Sequence, residues 1–271
     1  MMSKVVVFSP NRYSLYTTTV TELLIQQGIE ISAIFVRKLF NPDRARTEFQ
    51  RDGIRLIKKV WKKLILRQAG YHVEKYETIL DLRKRYQINT TRVDDFQSQN
   101  SIRVSYCSTL NDQVVMDGLL KIKPDLVIFT GGGLIRENIL GNSGQGVLNC
   151  HMGVLPTYRG MDVVEWAILE GHFDQVGISV HFMDSGVDTG DILAVKTIPT
   201  ISEETIFSLR NRMEPIMCQT FVDTVIQFLN GKIERRPQRK LDGKQYFKMH
   251  RELQKVAAER LIHYHNNRNR S

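Results

Sequence analysis

No stretch of this chain stays apolar for the ~18 residues that a bilayer-spanning helix needs. The N-terminus, Met-Met-Ser-Lys-Val-Val-Val-Phe, lacks the apolar stretch and small-residue cleavage site of a secretory signal. Both absences argue against a membrane or exported protein, and a cytoplasmic one is expected. Cysteine is scarce: Cys107, Cys150 and Cys218 are odd in number and far apart. That suits neither a disulfide framework nor a zinc site, so no metal is expected. The dinucleotide fingerprint G-x-G-x-x-G is missing. So are internal repeats, low-complexity tracts, and the aromatics interleaved with basic residues on which single-stranded nucleic acid stacks.

What is present suits an ordinary globular protein: 271 residues, 42% hydrophobic and 25% charged. That length supports one large domain, or one domain with a smaller appendage. The net charge of +9 is uneven. Arg51 to Arg92 holds 12 Lys/Arg against 4 Asp/Glu, and Lys232 to Arg270 again holds 12 against 4. The rest of the chain is therefore acidic. Two basic regions suit a polyanionic substrate such as a nucleotide, a diphosphate or tRNA. Two solvated helical faces account for the charge equally well.

Val5 to Phe8 reads as a buried strand, Leu15 to Gln27 as a helix stopped by Gly28, and Ile31 to Val36 as a second strand. This β-α-β opening implies parallel pairing with a right-handed crossover. The first strand-to-helix loop, containing Asn11, is a usual place for an anionic ligand. Residues 41–92 interrupt the pattern as an inserted basic helical segment, with Val60, Leu64, Ile65 and Ala69 at helical spacing. Further strands are expected at 103–106, 125–129, up to Asn149, and at 178–183. Helices are expected near 112–121, 163–170, 203–229 and 246–264. The fold class is α/β: a doubly wound, mostly parallel sheet over 1–200, followed by a helical part over 201–271.

Two segments carry chemistry. The run Leu148-Asn149-Cys150-His151 leads into Leu155-Pro156 and Arg159-Gly160, and a Gly/Asp-rich turn holds Asp188-Thr189-Gly190. Alternation along an extended chain puts Asn149 and His151 on one face. An amide, an imidazole and a carboxylate suit acyl transfer to an amine, as oxyanion donor, cationic partner and proton acceptor. His181 alternates with apolar strand residues and is read as structural, and Trp61 and Trp166 as packing residues.

In order and spacing these segments resemble the folate-dependent formyltransferases, the family of glycinamide ribonucleotide, methionyl-tRNA and sugar-nucleotide formyltransferases. The resemblance covers about Lys121 to Leu193. It implies a Rossmann-like core, 10-formyltetrahydrofolate as formyl donor, and Asn149, His151 and Asp188 as the catalytic set. It further implies a pterin site at Gly132, Gly133, Leu134 and Arg136, with Asp184 on the opposite wall. Tyr158, Arg159, Asp162, Glu165 and Asn11 then fall on the acceptor side, although Asp162 could equally cap the helix that follows. The family often has Ser two residues after the His; here Gly153 stands instead.

The acceptor is left by elimination as a primary amine on a phosphorylated small molecule, an amino-sugar nucleotide first. Methionyl-tRNA, glycinamide ribonucleotide and a formyltetrahydrofolate hydrolase stay open as alternatives, as does a homodimer.

Overall fold

The computed structural model describes residues 3–38 and 76–268. Most of the expected basic insertion, including Trp61 and its neighbouring lysines, lies outside them. The chain opens with β1 (Lys4–Ser9), α1 (Leu15–Gln26) and β2 (Glu30–Arg37). Next come α2 (Ile79–Arg85), α3 (Asp95–Asn100), β3 (Arg103–Cys107), α4 (Gln113–Ile122) and β4 (Leu126–Phe129). A short α5 (Glu137–Leu140) leads to β5 (Val147–His151), β6 (Tyr158–Gly160) and α6 (Val163–Glu170). β7 (Gly177–Phe182), β8 (Ile192–Thr197), α7 (Ile206–Leu229), β9 (Lys244–Tyr246) and α8 (Arg251–Arg268) follow.

One sheet runs in the order β3-β2-β1-β4-β5-β7-β8. Its first five strands are parallel, whereas β5–β7 and β7–β8 are antiparallel. Alternation sorts the side chains to two cores. Val5, Val7, Ile34, Ile128 and Leu148 face one side, and Val6, Phe8, Phe35, Val127 and Phe129 the other. Such double burial explains why these strands read as continuous apolar runs. Ser14 starts α1 by accepting from the Thr17 N–H at 3.2 Å.

Three boundaries differ from expectation. Ile79, Leu82, Ile88 and Phe96 are buried in the first core, so the end of the expected insertion is structural. Helix α7 places Leu209, Met213, Cys218, Phe221 and Val225 in that same core. Its apolar face is therefore continuous with the sheet across the division expected at residue 200. The last helix begins at Arg251, because the residues before it form β9 beside β6. Strands β6, β8 and β9 were not foreseen: two have only three residues, and β8 is an exposed-edge strand. Among the described residues, no helix is long and apolar enough to cross a membrane.

The parallel strands end at one edge of the sheet, and the turn after β1, the glycine turn after β4 and the end of β5 all gather there. In open α/β sheets, ligands bind at this edge.

Candidate active site

Asn149 and His151 close β5, with Cys150 between them turned to the opposite face and buried among core residues. Antiparallel pairing sets Asn149 across from His181, and His151 across from Ser179. The Asn149 amide nitrogen lies 3.2 Å from His181 Nε2. Asp188 approaches both rings: Oδ2 is 3.5 Å from His151 Nδ1, and Oδ1 is 3.4 Å from His181 Nε2. The two rings meet edge to face. His181, read from sequence as structural, is thus part of the cluster. It was hidden because β7 is buried along its whole length, and a buried histidine there resembles a core residue.

The partners constrain the protons. His181 Nδ1 donates to the Phe182 carbonyl at 2.7 Å. Its Nε2 therefore either accepts from Asn149 or, protonated, donates to Asp188. His151 Nε2 donates to the Tyr158 carbonyl at 3.0 Å, which leaves Nδ1 toward Asp188. Burial pulls the His151 imidazole below its ordinary 6.5, and the pull of Asp188 upward does not offset it. The resting ring is neutral near pH 7, so the expected imidazolium is not the resting form. Burial also works against the Asp188 anion. The hydrogen bond from His181, the two imidazole charges and the Gly160 N–H outweigh it and hold the carboxyl down at about 2. That Gly160 N–H donates to Oδ2 at 2.8 Å.

Gly153 packs against the His151 ring. A Cβ there would stand 2.5 Å from His151 Nε2 and 2.6 Å from Val163. A serine does not fit this arrangement, which gives the departure from the family pattern a steric reason. Ser179 braces the same loop, donating to the Gly153 carbonyl at 2.7 Å and accepting from the Leu155 N–H at 2.9 Å.

A cavity of about 610 Å³ is lined by Asn111, Leu134, Ile135 and Arg136 on one side and by Met183 to Gly186, the residues that lead into the Asp188 turn, on the other. Its size is within the range of small-ligand sites. Just before Leu134, Gly131, Gly132 and Gly133 hold φ of 119°, 136° and 105°, a run that favours glycine. The Gly132 carbonyl accepts from Arg37 at 2.8 Å. The expected backbone grip at Leu134 and Arg136 is engaged otherwise. The Asn111 amide donates to the Leu134 carbonyl at 2.9 Å, and its oxygen accepts from the Arg136 N–H at 2.7 Å. Asp184 also holds its own turn, accepting from Thr189 Oγ1 at 2.7 Å and the Gly186 N–H at 3.0 Å.

On the expected acceptor side, several polar groups are committed within the chain. Tyr158 is fully buried, its hydroxyl meeting Glu170 at 3.0 Å and His172 at 2.5 Å. Arg159 is buried against Gln238 and the Arg239 carbonyl. Glu165 pairs with Arg210 at 2.8 Å. Asp162 does not cap α6; with φ of 52° it accepts from the Met249 N–H at 2.9 Å. These partners are remote in sequence, so the acceptor-side reading had no way to see them. Asn11 keeps its place in the turn after β1, where its Oδ1 accepts from the Tyr13 N–H at 2.8 Å. Trp166 packs beside Tyr246 and donates to the Phe247 carbonyl at 2.8 Å.

An amide, two imidazoles and a carboxylate at the ligand-binding edge of a doubly wound sheet make a site suited to acyl transfer. The chain belongs to the formyl transferase family, whose profile matches residues 71–225. The methionyl-tRNA formyltransferase of Geobacter sulfurreducens is 32% identical over 124 residues, 45% of this chain and 39% of that one. Its counterpart from Alkaliphilus oremlandii is 31% identical over 152 residues, 56% and 49% of the two chains. This chain therefore spans less than half the length of these two relatives.

Among solved structures, glycinamide ribonucleotide transformylase 1 from Symbiobacterium toebii has a TM-score of 0.56 at 15% identity, over 87% of this chain and 94% of that one. A sugar N-formyltransferase from a Shewanella species has a TM-score of 0.58 at 11% identity, over 96% and 88%. Both share the fold. The family uses 10-formyltetrahydrofolate as its formyl donor.

Proposed function

We propose that this chain transfers a formyl group from 10-formyltetrahydrofolate to a primary amine. The observation that carries this reading is the cluster of Asn149, His181, Asp188 and His151, held on the same turn whose first residues, Met183 and Asp184, line the cavity with Leu134 and Arg136. When bound, the donor supplies an activated formyl carbon. The amine nitrogen forms a bond to that carbon, and the bond from the carbon to the folate nitrogen breaks. Asn149 has amide N–H groups to donate to the formyl oxygen as it gains negative charge. Neutral His151, at the Nδ1 that faces ionised Asp188, takes the proton that the amine loses and passes it on to the departing folate nitrogen, which leaves His151 neutral again.

The acceptor reading is an amine on a phosphorylated small molecule, such as an amino-sugar nucleotide, supported by the chain's net charge of +9. A second reading, methionyl-tRNA, is favoured by the sequence relatives named for that activity. The test offers the purified protein 10-formyltetrahydrofolate with a panel of amino-sugar nucleotides, glycinamide ribonucleotide and aminoacylated tRNA. Mass spectrometry then looks for a product heavier by one CO. Release of formate without a formylated amine would replace transfer by hydrolysis.

A further inference from the structure

The second basic region folds back across the site. Arg236 exchanges backbone hydrogen bonds with Ile192 at 2.9 Å, just past the Asp188 turn. Strand β9 pairs with Tyr158–Gly160, and the Met161 N–H donates to the Tyr246 carbonyl at 3.1 Å. Much of the charge here turns onto the chain itself. Arg235 lies 3.8 Å over the Phe182 ring, Arg239 pairs with Asp242 at 3.0 Å, and Lys244 reaches Glu170 at 3.8 Å.

Between the two arms of the site sits Gln238. Its Nε2 donates to the Asp188 carbonyl at 3.0 Å and the Gly190 carbonyl at 2.5 Å. Its Oε1 accepts from Arg159 Nε at 3.2 Å and Nη2 at 3.0 Å. Arg159 adjoins Gly160, whose N–H holds the Asp188 carboxylate. Asp188 itself stands at φ of 53°, a conformation costly to a residue with a Cβ and maintained only by its surroundings. A carboxamide alone among side chains of this size can donate to two carbonyls while accepting from a guanidinium.

We propose that Gln238 is a positioning residue for Asp188: it ties the backbone of the Asp188 turn to the strand that donates to the carboxylate, and so sets the carboxylate against His151 and His181. Gln238 lies beyond residues 71–225, the part that matches the family. The catalytic consequence rests on the formyl-transfer reading, whereas the positioning itself does not.

The test compares the protein with its Gln238→Ala and Gln238→Met variants. Methionine has nearly the same size and adds no charge that would itself shift the imidazoles, but offers no N–H to the two carbonyls. Imidazole titrations followed by NMR report the distance of Asp188, because its charge raises the His151 pKa while His181 and Arg210 lower it. In both variants the His151 titration is expected to move down by about half a pKa unit or more. With an acceptor identified, kcat is expected to fall about tenfold, with the KM for the formyl donor changed less than about twofold.

An unchanged titration in a folded variant overturns the proposal, and so does a loss of activity that only follows a loss of melting temperature. If the protein forms no formylated product, the titration still decides the positioning. If the alanine variant does not fold, the methionine variant carries the test.

Discussion

Asn149 stands directly across the β5–β7 ladder from His181, its amide nitrogen 3.2 Å from the imidazole Nε2. The same nitrogen of His181 lies 3.4 Å from Asp188. One ring thus ties the proposed oxyanion donor to the carboxylate. His181→Leu is expected to lower kcat about tenfold while the chain still folds, since leucine suits a buried strand position. Steady-state kinetics and thermal unfolding on the same preparation check this, and wild-type turnover would return His181 to a packing role.

Asn149→Ala, His151→Ala and Asp188→Ala are each expected to reduce kcat by about a hundredfold or more, because the proposed mechanism places each group where charge or a proton moves. Circular dichroism should show the fold retained. A variant with near-normal kcat on the identified acceptor removes that residue from the catalytic set.

The pH dependence follows from the direction of the His151 shift. Burial lowers this imidazole below 6.5, so its neutral form persists to more acid pH than in a free peptide. Asp188, at about 2, remains ionised throughout that range. The acceptor amine must also be neutral, so its own titration adds an acid limb to kcat/KM that shifts when acceptors of different amine pKa are compared. The break that stays fixed across such acceptors belongs to the enzyme and is expected below 6.5, and a fixed break above 6.5 would show that the ring does not act as the proton acceptor.

Gly153→Ser tests the contact with the His151 ring. Its Cβ would enter within 2.5 Å of Nε2, pushing the imidazole off the Tyr158 carbonyl. The expected result is a fall in kcat of about tenfold or more, with donor binding little changed. Unaltered kinetics would mean the ring tolerates the added atom.

Asn111→Ala probes the cavity. The asparagine amide engages the Leu134 carbonyl and the Arg136 N–H, the backbone groups expected to meet a pterin edge. A bound pterin would have to displace it, so removing the side chain should tighten folate binding about severalfold while kcat stays constant. Fluorescence titration with tetrahydrofolate measures this; weaker binding would instead make Asn111 a direct support of the ligand site.

Much of the sheet was legible in the sequence because its central strands are buried on both faces, leaving the unbroken apolar runs Val5 to Phe8, Ala33 to Val36 and Leu126 to Phe129. The common face of Asn149 and His151 was legible because alternation is a local property, whereas only the resemblance to a known family put Asp188 with them. His181, Gln238 and Asn111 were not legible. Their partners depend on strand register and on returns of the chain 32, 50 and 23 residues away.

Residue types and their local spacing therefore settled the parallel part of the sheet and the common face of Asn149 and His151. Only tertiary structure could decide which polar groups stayed committed inside the chain, as with Glu165 on Arg210 and Asp162 on the Met249 N–H. A buried polar atom takes whatever partner the packing brings within reach, and that partner has no fixed distance along the sequence.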